Sequence, residues 1–304
     1  MAAQEGGAPA ALPGGPRPAP AVTVAIPTWN RATLVAQSIR SVLDQSLGDL
    51  EVWVIDDAST DGTDAAVAAI GDPRVHLLRN ETRLGLNANL SRCLTVGNAP
   101  LVVVFGDDDL MLPGNLERKA GFLDARPEVG FVHSAIRWID EAGATIAPYV
   151  APHGMVVWDD HWQGAEPDSV LAGPAFVRQF MAGGCLVDLS AAVIRRSLIG
   201  GRTFREIDGP ACDMSFWMAV GMGTRVAYLA EPLTARRVHA SELVRSGMME
   251  LSGSGYRLTW SHIALQRDVK LRFLASPDAA SFDAADAQRL TRLAVRWARE
   301  QALY

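Results

Sequence analysis

The feature that most restricts the fold is an alternation that begins at Val22, in which short apolar runs are separated by stretches whose apolar residues recur at helical spacing. Val22 to Ile26 is a β-branched run stopped by Pro27, and Leu34, Val35, Ile39, Val42 and Leu43 follow at helical intervals. Leu50 to Ile55, Val75 to Leu78 and Leu101 to Phe105 repeat the strand pattern, while Ala65 to Ile70 and Asn87 to Val96 repeat the helical one. Nearly continuous apolar strands linked by helices predict an α/β fold, a mainly parallel sheet with helices on both faces. Ligands of such a sheet sit beyond the strand C-termini.

Past Gly130 the pattern loosens. Phe131 to His133, a Trp- and His-containing stretch to about Gly164, a helix near Ala175 to Met181 and an alternating run from Leu186 to Ile194 predict a mixed half. Helical periodicity from Tyr256 to Leu274 and from Ala284 to Leu303 predicts a C-terminal helical appendage. The expected organisation is a leader over 1–21, too rich in Ala, Gly and Pro to pack, then one domain over 22–245 and the appendage over 246–304. Within the domain, 22–125 is the regular half and 126–245 the mixed half.

With 49% hydrophobic and 20% charged residues, the 304-residue chain can bury a full core, which excludes disorder as its main state. The formal net charge of -6 argues against a broad basic surface, so nucleic acid is not an expected partner. Cys93, Cys185 and Cys212 lie far apart with no CxxC pair, so neither a zinc cluster nor a disulfide framework is indicated. No run approaches the length of a membrane span, and the leader lacks the apolar region of a signal peptide. A cytoplasmic protein, open to peripheral association with the inner membrane face, is expected.

Three polar segments end successive strands and should face one crevice. In Phe105-Gly106-Asp107-Asp108-Asp109-Leu110 three adjacent carboxylates repel one another. They either form a solvated turn before the helix that opens at Pro113, or neutralise a hard cation such as Mn²⁺ or Mg²⁺. Ile26-Pro27-Thr28-Trp29-Asn30-Arg31 could hydrogen-bond a flat base or ribose, or merely end a strand and cap a helix. An Asp of Asp56-Asp57-Ala58-Ser59-Thr60-Asp61-Gly62-Thr63 could accept a uracil-like imide N–H, and helix capping is again the alternative. A nicotinamide-binding sheet is disfavoured because the first strand–helix turn has no glycine fingerprint. A phosphatase with an Asp nucleophile is disfavoured because Ser59 stands where Asp61 would need a partner Asp.

These three segments, with Asn80, Gly85 and Asn89 and the run Asp107-Asp108-Asp109-Leu110-Met111-Leu112-Pro113, resemble glycosyltransferase family 2 in order and spacing over about residues 22–125. The resemblance implies the GT-A fold, a nucleotide-sugar donor with UDP foremost, a metal ion and an inverting mechanism. It implies nucleoside contacts at Pro27, Thr28, Asn30 and Asp57, and a base or phosphate contact at Arg83. It further implies Asp108 as principal metal ligand, Asp107 toward the ribose, and Asp109 toward metal or sugar. The Gly106 position departs from the family's common Leu-Asp-x-Asp-Asp form, and leaves open how many carboxylates reach the metal.

Asp208-Gly209-Pro210-Ala211-Cys212-Asp213 resembles the segment that carries the family's catalytic base, which makes Asp213 the base, with Cys212 where a Glu is common. A carboxylate at a helix N-terminus is the plainer reading of Asp213, and the dipole would help keep it ionised. Arg236-Arg237-Val238-His239 resembles the late motif whose His approaches metal or diphosphate, so His239 joins the candidate metal ligands. Trp158, His161 and Trp162 could stack on an acceptor, although anchoring a loop is the plainer role for Trp. The implied acceptor is a glycan, a lipid-linked glycan or a small natural product. A non-catalytic sugar-nucleotide binder of the same fold is the alternative.

Overall fold

The computed structural model describes residues 20–146, 169–239, 249–252 and 255–302. The leader up to residue 19, His153, Trp158, His161 and Trp162 lie outside the described residues.

In chain order the elements are β1 (Val22–Thr28), α1 (Ala32–Leu43), β2 (Leu50–Asp56), α2 (Thr63–Ala68), β3 (Val75–Arg79), α3 (Leu86–Cys93), β4 (Leu101–Val104), β5 (Leu110–Met111) and α4 (Asn115–Asp124). There follow β6 (Val129–Ile139), β7 (Val170–Ala172), α5 (Gly173–Ala182), β8 (Ala192–Arg195), α6 (Cys212–Met222) and β9 (Arg225–Arg237). A hairpin of β10 (Met249–Ser252) and β11 (Gly255–Leu258) leads to α7 (Trp260–Leu274) and α8 (Ala284–Ala302).

The main sheet runs β3-β2-β1-β4-β8-β6-β9-β5, with β7 also on β9. Its first four strands are parallel, as the apolar runs predict, and β8 joins β4 and β6 antiparallel to open the mixed half. Successive strand residues point to opposite faces. Val22, Val24 and Ile26 accordingly enter one core layer with Val35, Ile39 and Leu116 of α1 and α4. Ala25, Val102 and Val104 enter the other with Leu90, Phe176, Phe180 and Trp217, and that layer also takes Val269, Phe273, Leu290 and Ala294 of α7 and α8. This is a GT-A-like arrangement of a mainly parallel sheet between helices.

Three expectations change on contact with the structure. β1 does not stop at Pro27 but continues to Thr28, pairing Pro27 with Ile55. Pro27 faces the side on which β4 has ended at Val104, so its missing N–H leaves no ladder bond unmade. The run Leu186 to Ile194 is extended only from Ala192, because the Asp188 carboxylate accepts from Ser190 N and caps a 3₁₀ turn over Leu189–Ala191. Tyr256 to Leu258 belongs to a strand rather than a helix, since Thr259 caps α7 by accepting from His262 N and so sets its start at Trp260. No helix among the described residues is long and apolar enough to cross a membrane.

Candidate active site

A cavity of about 430 Å³ opens beyond the ends of β1, β2 and β4. Pro27, Thr28, Trp29, Arg31, Asp57, Arg83, Asp107, Asp108, Asp109, Asp188, Ser190, Asp213, Arg236 and Arg237 all line it. Its size lies within the ordinary range for small-ligand sites.

On one wall Asp57, at the end of β2, organises the loop that follows β3. Its Oδ1 accepts from Asn80 Nδ2 and Leu84 N, both at 2.7 Å, and its Oδ2 accepts from Gly85 N at 2.9 Å. Gly85 makes that approach with φ of 89°, a conformation that suits glycine. Asn80 also donates to Asn89 Oδ1, and Asn89 to the Ile55 carbonyl, so Asn80, Gly85 and Asn89 hold Asp57 and its loop as one network. The loop carries Arg83, whose guanidinium stacks 3.4 Å from the centroid of the exposed Trp29 ring. A planar cation on an indole makes a flat platform at the cavity wall.

Asn30 departs from the expectation of a nucleoside contact. It is absent from the cavity lining, and its backbone is left-handed with φ of 52°. Its Oδ1 accepts from Thr60 N at 2.8 Å while its N–H donates to Ser59 Oγ, which ties the end of β1 to the turn after β2. That turn contains a second left-handed residue, Ala58, with φ of 60°. An L-residue with a Cβ is strained there, so Ala58→Gly should raise stability by about 0.5–1 kcal/mol, read as a later denaturation midpoint.

The acidic corner after β4 is folded by residues far away in sequence. Thr28 Oγ1 donates to Asp107 Oδ2 at 2.7 Å, so the Thr28 hydroxyl is turned to the corner rather than only to the cavity. Asp108 Oδ2 lies 3.0 Å from both Arg31 Nη1 and His239 Nε2. Both Asp109 oxygens are engaged by protein, Oδ2 by Ser190 Oγ at 2.5 Å and Oδ1 by Arg237 N at 3.0 Å. Gly106 explains the departure from the Leu-Asp-x-Asp-Asp form: a Cβ there would stand 2.7 Å from Asp109 Oδ2. Buried Arg237 locks the corner from behind, donating to the Asp108, Asp140 and Glu141 carbonyls and to Gln37 Oε1.

Burial, and then the charge of Asp108, push Asp107 and Asp109 above the ordinary carboxylate range. Burial pushes Asp108 the same way, but the His239 hydrogen bond and the Arg31 charge outweigh it and hold Asp108 below that range. The corner therefore offers one strongly ionised carboxylate, a donor that suits Mn²⁺ or Mg²⁺, with an imidazole beside it whose nitrogen favours the softer of the two, Mn²⁺. Among the described residues no three His, Cys, Asp or Glu side chains form a cage for an ion. A pair is still sufficient for an ion that takes its remaining ligands from phosphate and water.

Across the cavity, Asp213 occupies the first turn of α6. Burial pushes its pKa up to about 6, and the Cys185 thiol and then the backbone donors at the helix start pull the other way, so the expected help from the helix N-terminus is present but smaller than the effect of burial. The Cys185 thiol donates to Asp213 Oδ2 at 3.4 Å and opposes that push. At neutral pH the carboxylate is still largely ionised, and closer to the acceptor proton in basicity than an ordinary Asp.

The sequence reading assigned no part to Arg31, Asp188, Ser190 or Cys185. Arg31 stands within the first quoted segment, yet its role depends on a partner 77 residues away. Asp188 caps the 3₁₀ turn with one oxygen and pairs with Arg236 through the other. Ser190 bridges Asp109 and Gly106 N. Asp188, Ser190 and Cys185 carry no local pattern beyond that of a turn.

Residues 23–160 match the family described as Glycosyl transferase family 2. An uncharacterized protein of Mycobacterium tuberculosis is 29% identical over 72% of this chain and 67% of its own length. The GalNAc(5)-diNAcBac-PP-undecaprenol beta-1,3-glucosyltransferase of Campylobacter jejuni is 26% identical over 62% of this chain and 55% of its own length. The chain thus spans between about half and two thirds of these relatives. Among solved structures, residues 1–349 of Staphylococcus aureus TarS in complex with UDP-GlcNAc align with a TM-score of 0.63 at 14% identity, covering 93% of this chain and 73% of that one. The mannosyltransferase PcManGT of Pyrobaculum calidifontis, in complex with GDP-Man and Mn²⁺, aligns with a TM-score of 0.56 at 18% identity over 95% of this chain and 87% of its own.

Proposed function

Because residues 23–160 match glycosyltransferase family 2, we propose that the chain transfers a glycosyl group from a nucleoside diphosphate sugar to an acceptor hydroxyl, with inversion at the anomeric carbon. The observation that carries this reading is the shared cavity, in which the Trp29–Arg83 platform, the acidic corner and Asp213 all line one space.

The base lies against Trp29 and Arg83, where a flat ring gains stacking area. Among the described residues Asp57 Oδ2 receives one N–H, from Gly85, and a carboxylate oxygen can accept more than one. A uracil imide N–H is the complementary donor, and supports UDP as the carrier. Asp107 faces the ribose. Asp108 and His239 would hold a divalent cation, Mn²⁺ or Mg²⁺, while Asp109 fixes the corner through Ser190 and Arg237. When bound, that cation supplies stabilisation of the negative charge that develops on the departing diphosphate.

Asp213 removes the acceptor proton as the acceptor oxygen bonds to the anomeric carbon and the bond to diphosphate breaks. One direct displacement inverts the configuration. The Campylobacter jejuni relative, whose name specifies a lipid-linked substrate, supports a lipid-linked glycan as acceptor here.

The reading is tested by thermal shift with UDP, dTDP and GDP, each with Mn²⁺ and after chelation. UDP with Mn²⁺ should give the largest rise, equivalent to about 2.7 kcal/mol at a hundred times its Kd, and chelation should remove it. A protein unmoved by all three nucleotides with Mn²⁺ would refute the donor site.

A further inference from the structure

Lys270, on the C-terminal helix α7, is fully buried. Its Nζ donates to the Gly183 carbonyl and lies 3.6 Å from the centroid of the Trp297 ring on α8. Burial pushes this amine well below its ordinary range. An apolar side chain of similar length would fill the same space without desolvating an amine, so simple packing does not account for a lysine.

The carbonyl it holds belongs to the residue at which α5 ends. Gly183 and Gly184 follow, a pair with the widest backbone freedom a chain can have, and then Cys185. The Cys185 thiol lies 3.4 Å from Asp213 Oδ2 and 3.6 Å from the Val187 carbonyl. At the far end of the same segment, Lys119, also fully buried, donates to the Ala191 carbonyl at 2.7 Å. The stretch that faces the cavity is therefore pinned at both ends by buried amines.

We propose that Lys270 is a positioning residue for Asp213: by fixing the Gly183 carbonyl it stiffens the Gly183-Gly184-Cys185 segment and keeps the Cys185 thiol on the Asp213 carboxylate. This rests on the reading of Asp213 as the base. It gives the C-terminal helices a part in the chemistry through a single hydrogen bond, where core packing alone would make them a support.

The test is Lys270→Met in the full chain, followed by steady-state kinetics, thermal denaturation, and iodoacetamide labelling of Cys185 read by peptide mass with buried Cys93 as internal reference. The expected result is a fall of about ten-fold or more in kcat with donor KM changed by less than about two-fold, because the base loses its alignment while the donor wall is untouched. The melting midpoint should hold or rise, and Cys185 should label faster relative to Cys93. A kcat close to wild type with unchanged labelling overturns the proposal.

Should Lys270→Met fail to fold, Cys185→Ala and Cys185→Ser decide the matter. The first should reproduce the kcat loss, the second should restore most of it by keeping a donor, and a wild-type rate in Cys185→Ala overturns the link. Asp213→Asn separates the two readings. If it transfers at the wild-type rate, the base assignment falls, and labelling of Cys185 alone then upholds or overturns the Lys270 contact.

Discussion

Asp213→Asn is expected to lower transfer by about 10²- to 10⁴-fold while leaving nucleotide affinity unchanged, the signature of losing a general base. Asn fills the same volume and can still accept from the Cys185 thiol, but it cannot take up the acceptor proton. The pH profile, compared between wild type and Cys185→Ala, offers a second check that separates Asp213 from Asp107 and Asp109, which burial also raises. Burial raises Asp213 to about 6, and only the ionised form accepts a proton, so kcat should fall as pH drops through about 6 and level off above it. An ordinary exposed Asp would place that limb near 3.9. Cys185→Ala removes a donor that favours the ionised form, so it should move the limb upward. A profile flat from pH 5 to 8, or an Asp213→Asn variant with full activity, would exclude this residue as base.

The second large effect is expected at Asp108. Its Oδ2 is the acceptor that Arg31 and His239 share at 3.0 Å, and in the proposed reading it is the principal donor to the cation. Asp108→Ala should weaken Mn²⁺-dependent UDP binding by at least about 100-fold, equivalent to about 2.7 kcal/mol, as measured by calorimetry. Under chelation the sign should reverse. Removing one negative charge beside Arg31 and Arg236 makes the cavity more favourable to a diphosphate, so metal-free UDP should bind as well as to wild type or better. Parallel losses with and without the ion would mean that Asp108 only shapes the corner.

The first half of the chain was legible in the sequence because its logic is local. Apolar runs, helical spacing and polar strand ends each lie within a dozen residues, and a parallel sheet brings those ends to one crevice. Hence Pro27, Thr28, Asp57, Arg83, Asp107, Asp108 and Asp109 all line the cavity. Asn30 misled because a left-handed backbone turns it to Thr60, and a φ value leaves no periodic trace. Asp109 drew attention as one of three equal carboxylates. What distinguishes it comes from Ser190 and Arg237, 81 and 128 residues away.

Asp213 shows the same limit in electrostatics. A helix N-terminus can be read from a few residues, whereas desolvation depends on every segment packed around the carboxylate. The cavity wall around Asp213 is built in this way. Cys185, Asp188 and Ser190 occupy a stretch with almost no regular structure, held by side chains from α4, α7 and β9.

The strand order also carries a consequence for how the molecule comes apart. β1 pairs with β2, and β2 with β3, across fewer than about 30 residues, whereas β6 must find β9 about 100 residues further on. Closing the longer loop costs more entropy, and distant pairings form late and open early. Mild denaturant should therefore expose amides of β9 and α7 to hydrogen exchange before those of β1 and β2, which leaves a partly unfolded species that keeps the strand ends around Asp57 but has lost the cavity wall that carries Arg236 and Arg237.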